Sequence, residues 1–199
     1  MVKLISFEGG IGSGKSSLIN YFSHELKIGK ILEQYNLNPF LKEFYKGISV
    51  VNFETEITFL LIHYSQLKEK LKKCKETFMI SDFSIEKDLV FAKMNLVGEE
   101  LNIFQKLYNY VIKKVGIPYL VIFLDISHNL LMTRIMQRER EYEMKANPEY
   151  FKEFNNKIRR FFEVESKSKT WFINVDELEF DPNNKILQQI KNKIREEFQ

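Results

Sequence analysis

Cysteine, tryptophan and proline are scarce in this chain of 199 residues, with one, one and four copies. The lone cysteine, Cys74, cannot close an intramolecular disulfide and has no neighbours at metal-ligand spacing. That excludes a disulfide-built scaffold, argues against structural zinc and fits a reducing compartment. No apolar run reaches the roughly 18 residues that a membrane span needs. The opening MVKLISFEGG passes directly into strand-like sequence, so neither a span nor a leader is expected, and the expected location is the cytoplasm. Charge of one sign is also missing as a block: 30 Lys+Arg face 27 Asp+Glu, a formal +3 scattered along the chain. Nothing there resembles the basic face of a nucleic-acid binder. Internal repeats and low-complexity segments are absent, and the length suits one core, so a single domain over residues 1–199 is expected.

What is present is an alternation of short apolar runs with longer segments of helical period, the pattern of an α/β domain on a parallel sheet. Five strands are predicted: Val2–Phe7, Ile31–Glu33, Thr77–Asp82, Tyr119–Asp125 and Thr170–Val175. A long helix is predicted over Val50–Lys73, where Phe53, Ile57, Leu60, Leu61, Tyr64, Leu67 and Leu71 recur at helical spacing. The four prolines, Pro39, Pro118, Pro148 and Pro182, mark joints between elements, because each biases its preceding residue away from helix. Right-handed crossovers then lead to a doubly wound five-stranded sheet, ordered 2-3-1-4-5, with helices on both faces and a site at the carboxyl ends of the strands.

The most specific signal is Gly9-Gly10-Ile11-Gly12-Ser13-Gly14-Lys15-Ser16, a phosphate loop set between the first strand and a helix predicted over Ser16–Leu26. Glycines let the backbone curl so that successive N–H groups point inward, and the helix offers its positive end to phosphate. Lys15 can reach β- and γ-phosphates, the Ser16 hydroxyl can ligate Mg²⁺, and Ser17 continues the loop into the helix. The expected ligand is therefore ATP with Mg²⁺.

Transfer of a phosphoryl group needs an acceptor for the hydroxyl proton and cations for the moving charge. Glu33 ends the second predicted strand and Asp82 the third, where an open parallel sheet presents its crevice. Arg134, Arg138 and Arg140 fall where a helix gives way to a loop. Glu56 is testable from the pattern alone: on a helix it shares a side with Phe53, Leu60 and His63. A carboxylate aimed at an apolar face needs a partner. A nucleobase edge, His63, or a lysine from another element would each serve.

Taken in order, FEGGIGSGKSS, Glu33 ahead of NPFLKEFY, FETEITFLLIHYSQL, SDFSIEKDLVFAK and RIMQREREYE resemble the deoxyribonucleoside kinases, in particular the bacterial deoxyguanosine and deoxyadenosine kinases. The resemblance spans nearly the whole chain. It implies that Glu33 accepts the proton of a nucleoside 5′-hydroxyl and that Asp82 helps Ser16 hold Mg²⁺. It also implies that Tyr45 and Glu143 bind the sugar 3′-hydroxyl, and that Glu56 reads the base while Phe91 packs on it. Arg134, Arg138 and Arg140 correspond to a lid over about 138–147 that closes on the phosphates, with Arg138 beside Lys15 at the reacting group. A homodimer built through the helices after the third strand is implied as well.

Three positions depart from the family pattern. Phe83 stands where most members have an arginine, His63 replaces an arginine near the base, and Glu139 interrupts the lid arginines. Two other functions remain to be weighed. A thymidylate-type monophosphate kinase would carry cations near its acceptor phosphate, where this chain has Glu33 and Phe83. A nucleotide-switch protein would be expected to show an Asn-Lys-x-Asp guanine motif, which the chain lacks. The function expected is ATP-dependent phosphorylation of a purine deoxynucleoside, deoxyguanosine before deoxyadenosine.

Overall fold

A computed structural model describes residues 2–137 and 147–197. Five parallel strands, β1 (Lys3–Gly9), β2 (Gly29–Ile31), β3 (Phe78–Ser81), β4 (Leu120–Asp125) and β5 (Lys169–Asn174), form one sheet in the order β2-β3-β1-β4-β5. All five predicted strands are present in the predicted order. The helices are α1 (Lys15–Leu26), α2 (Leu41–Tyr45), α3 (Asn52–Lys73), α4 (Ile85–Asn95), α5 (Gly98–Val115), α6 (His128–Gln137), α7 (Pro148–Arg160) and α8 (Lys185–Glu196). Each proline lies outside the strands and helix interiors; Pro148 opens α7, where a missing N–H costs nothing.

The period-2 alternation of the strands divides the core. Ile5 and Phe7 of β1, Ile122 and Leu124 of β4 and Phe78 and Ile80 of β3 pack with Leu18, Ile19 and Phe22 of α1 and with Leu187, Ile190 and Ile194 of α8. Leu4 and Met79 pack with α3, α4 and α5, while Val121 and Phe123 meet Phe154 and Ile158 of α7. The sheet is thus covered on both faces, as an all-parallel sheet requires. On the second face β1 continues with Ser6 and Glu8, both fully buried, so polar groups form the floor beneath the strand ends. Ser6 Oγ and Ser81 Oγ lie 2.8 Å apart, and Ser81 donates to the Phe83 carbonyl at 2.7 Å.

β2 stops at Ile31, two residues before the predicted end. Side chains replace the ladder there: Asp82 Oδ1 accepts from the Glu33 N–H at 2.7 Å, and Gln66 Nε2 donates to the Leu32 carbonyl at 2.9 Å. The strand order reverses at β1, and the crevice at that reversal is where the site lies.

Candidate active site

The loop after β1 depends on glycine for defined reasons. Gly9 has φ 140°, and an added Cβ would sit 2.6 Å from the Leu124 carbonyl oxygen. Gly14 has φ 96° and caps α1 in the left-handed region. Lys15 folds back over the loop, its Nζ donating to the Gly9 carbonyl at 3.0 Å and to the Gly10 carbonyl at 2.8 Å. No acidic side chain occupies the first turn of α1, which leaves its positive end for phosphate. Arg134, in the last turn of α6, reaches the loop and donates to the Ser13 carbonyl at 3.4 Å.

Beside the loop, the Ser16 hydroxyl donates a short hydrogen bond to Asp82. A hydroxyl and a carboxylate side by side are hard oxygen donors of the type Mg²⁺ takes. Among the described residues no group of three or more acidic, histidine or cysteine side chains could hold a metal alone. A cation here would therefore lean on phosphate oxygens and water, the usual mode for Mg²⁺ with nucleotides.

Glu33 is half-buried at the centre of a charged network. Its Oε1 accepts from His63 Nε2 at 3.0 Å and from Lys87 Nζ at 2.7 Å. The other imidazole nitrogen, Nδ1, lies 2.9 Å from both oxygens of Asp88. Carboxylate, imidazolium, carboxylate and ammonium thus alternate in sign. Burial opposes charge on Glu33, yet the Lys87 ammonium and then the His63 bond prevail and hold its carboxyl well below the usual range. For His63, burial alone would favour the neutral ring, but Asp88 and then Glu33 push its pKa up to about 9. Burial likewise disfavours charge on Lys87, and Glu33, then Glu8, outweigh it, so its pKa rises.

Glu56 lies further along the same face of α3 and is buried. Among the described residues neither His63 nor a lysine hydrogen-bonds it; Asn95 at the end of α4 donates to Glu56 Oε1 at 2.8 Å. Asn95 Nδ2 also stands 3.3 Å from the Tyr150 hydroxyl. Burial pushes the Glu56 pKa up to about 8. Phe91 stacks on Phe154, centroids 4.0 Å apart, and Tyr45 packs edge-on against Phe44.

One cavity of about 260 Å³ joins these groups. Its lining includes the loop residues Gly9, Ile11, Gly12, Lys15 and Ser16 together with Glu33, Asp82, Lys87, Tyr45, Glu56, His63 and Phe91. Arg138, Arg140 and Glu143 lie outside the described residues, as does most of the expected lid. Sequence reasoning missed Lys87, Asp88, Asn95, Tyr150 and Phe154. Lys87 and Asp88 are buried because α4 packs against α3, α5 and α7. A signal was available: three consecutive charges, Glu86, Lys87 and Asp88, stand between apolar Ile85 and Leu89 with no exposed face to occupy.

A parallel sheet in this order, with a phosphate loop after its central strand and a pocket beside it, defines a phosphate-loop kinase fold. The deoxynucleoside kinase family profile matches residues 5–198. The chain belongs to the deoxynucleoside kinase family and is a phosphotransferase. It is 28% identical to a deoxyguanosine kinase of Bacillus subtilis, covering 96% of each chain. A deoxyadenosine kinase of Lactobacillus acidophilus is also 28% identical, with 98% of each covered. In fold it is similar to the deoxyadenosine kinase of M. mycoides with bound dATP, at a TM-score of 0.82, 24% identity and coverage of 96% of this chain and 99% of that one. Among the described residues no helix is long and apolar enough to cross a membrane.

Proposed function

We propose that this kinase transfers the γ-phosphoryl group of ATP to the 5′-hydroxyl of a purine deoxyribonucleoside, deoxyguanosine first and deoxyadenosine second, in nucleoside salvage. The observation that carries the reading is one cavity whose lining runs by contact from the loop through Ser16, Asp82 and Glu33 to His63, on the helix face that also carries Glu56. A carboxylate at Glu33 suits a neutral hydroxyl and would repel an acceptor phosphate, which disfavours the thymidylate-type alternative. The names of the Bacillus and Lactobacillus relatives agree with a purine deoxynucleoside.

In this reading Lys15 and the loop N–H groups bind the β- and γ-phosphates, and Arg134, Arg138 and Arg140 close over them. Ser16 and Asp82 hold Mg²⁺, which neutralises phosphate charge when bound. Glu33 takes the 5′-hydroxyl proton. Its low basicity is no obstacle, because a loose phosphoryl-transfer transition state depends more on positioning and charge than on a strong base. His63 has both ring nitrogens on carboxylates and acts on substrate through Glu33. Tyr45 and Glu143 bind the 3′-hydroxyl, and Phe91, backed by Phe154, packs on the base.

The choice of purine rests on Glu56. Guanine presents two adjacent donors, N1–H and the amino group, which an ionised carboxylate accepts together. Adenine presents one donor and one acceptor, which a protonated Glu56 matches; with a pKa of about 8 that is the majority form of the empty site at neutral pH, so deoxyguanosine must draw the proton off as it binds. The whole chain acts as one domain, with a lid over about 138–147. We place it in the cytoplasm as a homodimer built through the helices after β3; exposed Ile103 and Tyr110 on α5 offer apolar surface for the second copy.

The test is ADP release from ATP over a panel of deoxyguanosine, deoxyadenosine, deoxycytidine, thymidine and thymidine monophosphate. Purine-nucleoside-dependent release is expected. Release stimulated chiefly by the monophosphate would replace this reading with the thymidylate one.

A further inference from the structure

Of the two charged cavity residues left without a role by the family pattern, Lys87 and Asp88, Lys87 is the cation. It stands in the first turn of α4, only 6% exposed, and lines the cavity with Gly9, Lys15, Ser16 and Asp82. Among the described residues its Nζ makes one hydrogen bond, to Glu33 Oε1 at 2.7 Å. An ammonium has three N–H donors. The remaining two have no acceptor among the described residues and stand at the wall of the cavity.

Buried donors left unmet are costly, and the cost is offset when an acceptor enters. Protein groups nearby do not fill that role. Glu33 is already bonded, and the fully buried Glu8, whose charge acts on Lys87, takes no hydrogen bond from its Nζ among the described residues. Phe83, four residues earlier, is stacked on His63 and brings no charge. A nucleoside is neutral, so the anion that can meet these donors is the triphosphate. Position selects the part of it. Lys87 bonds Oε1 of the carboxylate that faces the acceptor hydroxyl, and in an in-line transfer the phosphorus next to that hydroxyl is the γ-phosphorus. Glu33 Oε2, by contrast, has no donor among the described residues and is the oxygen left open for the hydroxyl.

Resting on the kinase reading above, we propose that Lys87 is a catalytic residue: one of its N–H groups fixes Glu33 Oε1 while the other two bond the oxygens of the γ-phosphoryl group in flight. The 5′-hydroxyl proton passes to Glu33 Oε2 as the 5′-oxygen forms its bond to the γ-phosphorus. The bond from that phosphorus to the β,γ-bridging oxygen breaks, and its electron pair leaves with ADP. Lys87 keeps its protons throughout, and Glu33 later returns its own to water. The lysine thereby supplies, from the first turn of α4, a cation that the phenylalanine at position 83 cannot.

The test uses Lys87→Met and Lys87→Arg in the full chain, with deoxyguanosine turnover and the separate affinities for MgATP and MgADP as readouts. Loss of one preorganised donor to a transition-state oxygen costs about 100- to 1000-fold in kcat. Lys87→Met should show that loss, and should weaken MgATP binding by roughly 10-fold or more while leaving MgADP within about twofold, as a charged bond to the γ-phosphate alone predicts. Lys87→Arg should restore much of both. A fall in kcat with MgATP and MgADP affinities alike unchanged would overturn the proposal, because it would confine Lys87 to positioning Glu33. If Lys87→Met does not fold, the wild type answers instead: in a co-crystal with ADP, aluminium fluoride and deoxyguanosine, Nζ should lie within about 3.2 Å of a fluoride. Nζ bonded to Glu33 alone would overturn it. Failure of the kinase reading itself is seen separately, as absence of nucleoside-dependent ADP release by the wild type.

Discussion

The Phe83 ring stacks on the His63 imidazole with centroids 4.3 Å apart and planes inclined by 24°, so the position that lacks the family's arginine now packs the ring that bridges Asp88 and Glu33. An imidazolium between two carboxylates under an aromatic face holds its proton strongly. The His63 titration followed by NMR should have a midpoint near 9, above the ordinary 6.5. The native state then keeps a proton that the unfolded chain loses, so this contribution to stability is complete below about pH 6.5 and gone above about pH 9. A midpoint at or below 6.5 would contradict the network. Phe83→Ala removes a fully buried ring and should cost about 3–5 kcal/mol in denaturant unfolding.

Lys15→Ala should abolish phosphoryl transfer, because it removes the ammonium held over the Gly9 and Gly10 carbonyls, where the β- and γ-phosphates are proposed to bind. Its bonds to the Gly9 and Gly10 carbonyls are partly buried, so a stability loss of about 1–3 kcal/mol accompanies the change, without unfolding. Turnover and thermal melting together check this. Retention of more than a few per cent of wild-type turnover would remove Lys15 from the site.

Glu33→Gln should lower kcat by about two to four orders of magnitude, the range for a positioned base, while deoxynucleoside affinity stays nearly constant. The amide can still accept from His63 and Lys87, but it leaves two buried cations facing a neutral group, and the melting temperature should fall. Collapse of affinity with turnover preserved would make Glu33 a binding residue instead.

Glu56→Gln should shift the ratio of kcat/KM for deoxyguanosine over deoxyadenosine toward deoxyadenosine by about 5- to 150-fold, the equivalent of a mismatched buried polar pair at roughly 1–3 kcal/mol. Because the pKa of Glu56 is raised to about 8, deoxyguanosine, which uses the ionised form, should bind better as pH rises toward 8. Deoxyadenosine, which uses the protonated form, should bind worse above it. Deoxyguanosine binding at neutral pH should also release a proton, visible as a buffer-dependent heat in calorimetry. The same raised pKa makes the native state lose stability from about pH 4.5 to 8, since the unfolded carboxyl ionises first, and Glu56→Gln should flatten that slope. A purine ratio that changes neither with the mutation nor with pH would mean that Glu56 does not read the base.

The sequence by itself determined the five strands, their order and the glycine loop after the first of them. Strand and helix periods are local, and the loop Gly9–Ser16 is contiguous, so spacing alone carries the geometry of its backbone and of Lys15 and Ser16. Order 2-3-1-4-5 followed from the handedness of crossovers, a rule independent of particular contacts. Even Glu56 was legible as a carboxylate on an apolar helix face. What only the tertiary structure decided is which groups meet. Asp82 captures the Glu33 amide and bends β2 away early, Asn95 takes Glu56 from the end of another helix, and Lys87 and Asp88 turn inward to Glu33 and His63. These contacts join residues 25 to 54 positions apart. Their charges in sequence look like those of a solvated helix, and the physical difference is burial: α4 packs against three other helices, so Glu86, Lys87 and Asp88 had to find an opposite charge or a donor inside.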